Sequence, residues 1–286
     1  MILKIAKNID EYLSVIRQIK SEIPILWFRG QSNSKYMLEP SLYRDKGIIS
    51  GTSTEAITMK ITKGKFILKD DITALHKFKE HFDSIHDCNN FGFIDYLYVM
   101  QHYGIPTRLL DFTSDELVAL YFAVSKDNDI KAKNTEEEIQ DFYESESYTD
   151  NGAAVFCIDP IKTNGKSSFL NEKIVNLNAY EFESLGNIDT PVCIETENPD
   201  KRIIAQKGVF VFFGYFVNPY DYYDVYNKTT YKIFIPNSCR KQILFELKTK
   251  YSISHSTIYP DIQGIAMEII DDINEKFKND CTKWAE

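Results

Sequence analysis

The chain is poor in cysteine, and its five (Cys88, Cys157, Cys193, Cys239 and Cys281) are scattered, with no CxxC pair and no Cys/His cluster. That spacing points to neither a zinc centre nor a disulfide framework. Long apolar runs are missing as well. No stretch approaches the ~20 apolar residues of a membrane span, and Met1 to Asp10 carries no leader-like apolar core. Bases are the minority charge, 33 against 42 acids, for a net charge of −9. The surface as a whole therefore does not attract nucleic acid, although a local basic groove remains compatible with it. There is no internal repeat and no low-complexity tract. What is present is core material: 43% hydrophobic residues, with 14% aromatic, in 286 residues. One domain spanning 1–286 in a soluble cytoplasmic protein is the expectation.

The pattern along the chain predicts helices early and strands late. Ile9, Leu13, Ile16 and Ile19 have near-helical spacing after Asn8 or Asp10, and Pro24 stops that helix. Ile25 to Phe28 reads as a short buried strand leading into Arg29-Gly30. A turn-rich stretch follows over 32–55, and then Lys60, Lys63, Lys65 and Lys69, which read as a solvated face ahead of a nucleic-acid patch. A helix from about Phe91 to Tyr103 should stop at Gly104, since glycine accepts the left-handed conformation and Pro106 forbids resumption. Thr113-Ser114-Asp115-Glu116 has the capping-box form, with Thr113 as the expected N-cap and Glu116 reaching back. The helix beyond it, Leu117 to Val124, is apolar on nearly every side and should be buried.

Residues 127–150 are polar. Thr135 to Asp150 holds seven acids and no base, which predicts a solvated, mobile and dispensable insertion. Ala153 to Ile158, Gly208 to Val217 and Tyr231 to Ile235 read as strands, and helices are expected from Ser238 and after Pro260. Such an arrangement suggests an α+β fold.

The most informative stretch is Gln101-His102-Tyr103-Gly104-Ile105-Pro106-Thr107-Arg108-Leu109-Leu110-Asp111-Phe112-Thr113. It presents polar and charged side chains between two well-packed elements, where function tends to reside. With Phe28-Arg29-Gly30, Pro40 to Arg44, Ala119 to Ala123, Arg202 to Phe210 and Tyr259 to Gly264, it forms an ordered set of motifs from residue 27 to 265. The chain resembles the FRG-domain family in these motifs. It departs from it at Asp115-Glu116, where many relatives carry Asn-Pro.

A more distant resemblance is to ADP-ribosyltransferases of the Arg-Ser-Glu kind, which hold NAD with three strand-borne motifs. Trp27-Phe28-Arg29-Gly30 resembles the first, and Asp111-Phe112-Thr113-Ser114 with the following Ala119 to Ala123 resembles the second. Ala205 to Phe210 takes the place of the third, but Gln206 or Gly208 stands where that family carries its catalytic Glu. In this it is closer to the RNA 2′-phosphotransferase branch, whose third motif has Asn-Gly-Val. The resemblance implies a mixed or antiparallel sheet core with surrounding helices. It also implies NAD as a substrate and Arg29, Asp111, Thr113 and Gln206 as catalytic residues. Arg29, Gly30, Gln31, His102, Tyr103, Thr107, Arg108 and Phe112 would bind the NAD, with no metal.

Elementary chemistry agrees with such roles. An Arg fork suits a pyrophosphate, and Tyr103 or Phe112 could stack on a ring of NAD. Asp111 or His102 could serve as base or orient a ribose hydroxyl, whereas Gln206 can only hydrogen-bond. Each residue also has a plainer reading. Arg29 and Arg108 could be salt-bridged to Asp111 and Glu39 as a structural knot, and His102 could only complement a helix dipole. The leading expectation is an ADP-ribosyltransferase acting on a macromolecule, RNA or DNA among the candidates. Its natural home would be a toxin in phage defence or a toxin–antitoxin system, with an antitoxin or inhibitor protein as partner and no membrane. The alternative is a non-catalytic nucleotide- or phosphate-binding module. A nuclease finds little support, because no acidic cluster with a nearby Lys has the required spacing.

Overall fold

The computed structural model describes residues 1–44, 68–126, 133–167, 173–175, 177–178, 188, 190–197, 200–214 and 218–285. Its centre is a mixed seven-stranded sheet in the order β1-β7-β4-β2-β3-β6-β5. The strands are β1 (Ile2–Ile5), β2 (Trp27–Gln31), β3 (Leu109–Thr113), β4 (Gly152–Ile158), β5 (Val192–Ile194), β6 (Gly208–Phe212) and β7 (Tyr231–Pro236). Among the pairs of these described strands, only β1–β7 is parallel. The early helices are α1 (Ile9–Glu22), α2 (Leu68–Asp83), α3 (Phe93–His102) and α4 (Glu116–Val124). Next come α5 (Thr135–Glu144), α6 (Pro160–Asn164), α7 (Lys201–Gln206) and α8 (Asp224–Asn227). The chain closes with α9 (Asn237–Tyr251), α10 (His255–Ile258) and α11 (Ile262–Ala285). The fold is α+β.

Strand periodicity sorts the side chains of β2 onto two faces. Phe28 joins a core with Ile9, Tyr12, Ile16, Leu120 and Ile243 from α1, α4 and α9. Trp27 joins a second core with Leu110, Phe112, Phe156, Val209 and Phe213. A third core, of Ile94, Leu97, Met100, Leu109, Phe210 and Phe212, lies under α2 and α3. Helix α4 presses directly onto β2. A Cβ on Gly30 would stand 1.9 Å from Ala119 O and 2.7 Å from Ala123 N, both backbone atoms that cannot move aside. Gly30 is therefore a close-packing glycine, and it brings Arg29 to where the sheet meets α4.

The predicted stop at Gly104 is present, with φ at +80° and the Ile105 amide donating to Met100 O at 2.9 Å. Three expectations are corrected. Helix α4 is capped by Asp115, whose Oδ1 accepts from the amides of Leu117 and Val118 at 2.8 and 3.1 Å. Thr113 is not the cap, because pairing with Gly208 holds it in β3. Glu116 does not reach back, but accepts from Lys20 Nζ at 2.9 Å.

The second correction concerns Gln206, which is the last residue of α7 rather than part of a strand. Asp200 caps that helix through the Ile203 amide at 2.7 Å, Lys207 turns left-handed at φ 46°, and β6 begins at Gly208. Strand β6 ends at Phe212, and residues 215–217 of the expected strand lie outside the described residues.

The acidic stretch is the third. Residues 135–144 fold as α5, with Phe142 fully buried and stacked on Phe234 at 4.4 Å. Glu138 is buried too, accepting from Ser238 N and Oγ at 3.0 and 2.8 Å. Individual acids find partners: Asp150 pairs with Lys35 at 2.6 Å and Asp141 with Lys133 at 2.6 Å. Paired and inward-facing carboxylates do not repel as a free run of seven would, and one buried Phe repays ordering by about 2–3 kcal/mol. Residues 127–132, and Lys60, Lys63 and Lys65, lie outside the described residues. Among the described residues no helix is long and apolar enough to cross a membrane.

Candidate active site

Strands β2 and β3 share a single register pair, Phe28 with Thr113. By contrast β2 pairs with β4 at five positions, and so does β3 with β6. Neighbouring strands that meet at one end only leave a wedge between them. At its narrow part Arg29 bridges the gap, its Nη1 donating to the backbone carbonyl of Asp111 at 2.5 Å and lying 3.9 Å from Asp111 Oδ2. The wedge opens into a cleft of about 960 Å³, near the upper end of the ~300–1,000 Å³ range of small-molecule pockets.

One part of the lining is the end of β2 and the segment after it, contributing Gln31, Ser32, Tyr36, Met37, Glu39 and Arg44. The floor is Gln101, His102, Asp111, Phe112, Thr113, Gly208 and Phe210. Helices α4, α7 and α10 and the residues that follow α4 and α10 add Tyr121, Phe122, Lys126, Arg202, Gln206, His255 and Tyr259. Four Lys/Arg residues and four acids line the cavity, so it is locally neutral in a chain of net charge −9.

The Asp111 carboxylate is held by a chain of hydrogen bonds that begins in the core. Buried Thr107 accepts from the Leu109 amide at 3.2 Å and donates to Gln101 Oε1 at 2.5 Å. That contact fixes which way the Gln101 amide points, so its Nε2 donates to Asp111 Oδ1. The Thr107 amide in turn donates to Ser41 Oγ at 3.2 Å, and the Leu42 amide to Thr107 O at 3.2 Å. The Pro40–Arg44 motif thus clamps the central motif from behind.

Desolvation lowers the Arg29 guanidinium to about 10, with Asp111 opposing the shift and Arg44 adding to it. The Asp111 carboxyl is pushed up by desolvation, against the pull of Arg29 and Arg44. Its side chain is 59% exposed, and that exposure is to the cleft, whose surrounding walls thin the water around the carboxylate.

The expected site residues divide. Arg29, Gly30, Gln31, His102, Asp111, Phe112, Thr113 and Gln206 all line the cleft. Thr113 Oγ1 donates to Gln206 O at 2.7 Å and accepts from the Asp115 amide at 3.0 Å, tying β3 to the end of α7. Gln206 spends its own amide on Ile258 O at 3.2 Å. His102 Nδ1 faces Asp200 at 3.7 Å. Phe112 is 4% exposed and packs in the core, so it offers no stacking face.

Thr107 and Arg108 do not line the cleft. Both are 1% exposed, and Arg108 is ion-paired through Nε with Asp71 of α2. Its partner is neither Glu39 nor Asp111, because Arg108 sits just before β3 and turns into the core against α2, where Asp71 meets it. Tyr103, the C-cap residue of α3, is 71% exposed outside the cleft. Sequence reasoning omitted Gln101, Glu39, Arg44, Arg202, His255 and Tyr259. For Gln101, Arg44, Arg202 and Tyr259 the signal was present, since each belongs to one of the ordered motifs. Nothing local marks Glu39 or His255. Among the described residues no cluster of His, Cys, Asp and Glu could hold a metal ion.

Residues 24–132, which supply Arg29, Gln101, Asp111 and Thr113, match the family model of the FRG domain, and this supports the family resemblance of the motifs. No curated protein and no solved structure matches the chain.

Proposed function

We propose that this chain is an NAD-dependent ADP-ribosyltransferase acting on a macromolecule, of the kind used as a toxin in phage defence or toxin–antitoxin systems. One observation carries the reading. The segments that resemble the three NAD-holding motifs lie on or beside three consecutive strands, β2, β3 and β6, and bring Arg29, Asp111, Thr113 and Gln206 to one cleft. In this reading Arg29 binds the pyrophosphate, since a guanidinium fork matches paired anionic oxygens. Departure of nicotinamide leaves positive charge on the ribose, and a carboxylate in a shielded cleft stabilises such charge. No Glu stands on β6, and Asp111 on the adjacent strand is the carboxylate that Gln101 holds in place. The acceptor's nucleophile then attacks the ribose carbon that nicotinamide left.

The test is incubation of the purified chain with labelled NAD and cell extract. Release of nicotinamide, with label transferred to protein or nucleic acid and lost in Asp111→Asn, is the expected result. A specific observation favours a second reading, a non-catalytic nucleotide-binding module: Gln206 sits on a helix and gives its amide to Ile258 O, so the third motif offers no reactive group. NAD binding without nicotinamide release by the wild-type protein would select that reading.

A further inference from the structure

Two planar groups, Arg202 and His255, stand within stacking distance of Tyr259 in the lining of the cleft. The Arg202 guanidinium carbon lies 4.6 Å from the centre of the Tyr259 ring, and the His255 ring lies 4.7 Å from it at 29°. Phe122 meets Tyr259 edge-on at 6.3 Å. Second contacts hold the planes in place. Asp261 Oδ2 accepts from Arg202 Nη2 at 3.0 Å, and the Tyr121 hydroxyl is 3.1 Å from His255 Nδ1. Tyr259, Arg202 and His255 are all half-buried and line the cavity. Rigid aromatic and guanidinium planes that end in a cleft need not be strongly basic to recognise a flat heterocycle, because every nucleobase presents a π-face.

We propose that this rim, built from α7, α10 and Tyr259, is a stacking subsite for one or two unpaired bases of a single-stranded nucleic-acid acceptor. The proposal rests on the transferase reading, in which Arg29 and Asp111 hold NAD in the same cleft. Net charge gives the acceptor its form. A chain carrying −9 cannot draw in a long phosphate backbone, since neutralising many phosphates demands a basic surface. A short unpaired end or loop, inserted base-first, requires only the cavity. Duplex bases are already stacked and cannot enter such a site, so a duplex is excluded by geometry as well as by charge. Protein acceptors have no use for a stacked Arg–Tyr–His set of this kind unless they offer an aromatic side chain.

The probes are fluorescently labelled six-nucleotide single strands of RNA and DNA, with a duplex of equal length, read by anisotropy at low salt. Wild-type protein is expected to bind the single strands and to bind the duplex at least several-fold more weakly. Tyr259→Leu, which keeps apolar volume and removes the ring, should weaken single-strand binding roughly 10-fold or more, the scale of one lost base stack. Tyr259→Phe should bind as the wild type does. Because Tyr259 also packs against Gly264 and Phe122, Arg202→Gln provides a second variant that deletes a plane without deleting core. It should weaken binding with an unchanged melting temperature, while NAD binding by both variants stays within about twofold.

The proposal is overturned if the wild-type protein binds no oligonucleotide. It also fails if folded Tyr259→Leu and Arg202→Gln bind the strands unchanged, or if they lose NAD as much as oligonucleotide, which would make the rim an NAD site. Oligonucleotide binding that depends on Tyr259, in a protein that releases no nicotinamide, would remove the transferase reading and leave the subsite standing.

Discussion

Arg29 and Arg108 are both arginines of the signature motifs, yet they should respond oppositely to removal. The Arg108 side chain is fully buried and ion-paired with Asp71, itself 3% exposed. Arg108→Leu removes the cation and leaves a carboxylate in the third core, close to Phe212, whose ring lies 5.8 Å from the guanidinium carbon. Stranding one member of a buried pair costs about 3–5 kcal/mol. In a chain of 286 residues, the usual entropy of unfolding converts that into a loss of about 5–10 °C in melting temperature. The double variant Arg108→Leu/Asp71→Leu should recover most of the loss, because two apolar residues there leave no unpaired charge. Arg29→Leu should behave differently, since its carboxylate partner is 59% exposed to the cleft and keeps its hydrogen bond from Gln101. A shift within about 2 °C is expected, with nicotinamide release abolished. Thermal unfolding by circular dichroism on the four proteins reads all of this. An Arg108→Leu protein melting within about 2 °C of wild type, or a double variant no better than the single, would refute the assignment of Arg108 to structure.

Asp111→Asn should abolish transfer. Its melting temperature at pH 7 should hold or rise, because the folded-state pKa of Asp111 is raised. The folded protein then binds more protons than the unfolded chain above the ordinary carboxyl range, and ionisation works against folding there. A clear fall in melting temperature would show the charge to be structurally required. Lys232 donates to Ser34 O and Ser147 O at 2.7 and 2.6 Å, and burial lowers its pKa to about 7. The unfolded chain holds the proton up to about 10.5, so this amine makes stability rise with pH between those values. The difference in melting temperature between wild type and Lys232→Met should grow in favour of wild type from pH 7 to pH 9, and a constant difference would contradict the shift. Phe142→Ala should cost about 3–5 kcal/mol by urea unfolding, the scale for a fully buried Phe. A cost below about 1 kcal/mol would return α5 to the status of a dispensable insertion. Gly30→Ala should also destabilise by several kcal/mol, because its Cβ meets the backbone of α4, and a melting curve like that of wild type would show that β2 and α4 can separate.

Sequence alone determined what local chemistry and periodicity control. Helix α1 begins at one of the two starts the sequence offered, Asn8, Gly104 ends α3, the apolar Leu117–Val124 run is largely buried, and β4 and β7 stand where β-branched and aromatic residues concentrate. The ordered motifs also marked Arg29, Asp111, Thr113 and Gln206 as a set before any geometry was known. Partner choice was decided only by the tertiary structure. Whether Arg108 met Asp111, Glu39 or Asp71 depended on where α2 packs against the start of β3, a long-range fact. The cap of α4 moved from Thr113 to Asp115 because pairing with Gly208 keeps Thr113 in the sheet. The acidic run became a helix because Phe142 found Phe234, about ninety residues away, and one buried ring outweighs repulsion among acids most of which find a partner. The cleft itself has no local signature, since it exists because β2 and β3 meet at a single pair of residues and part from there.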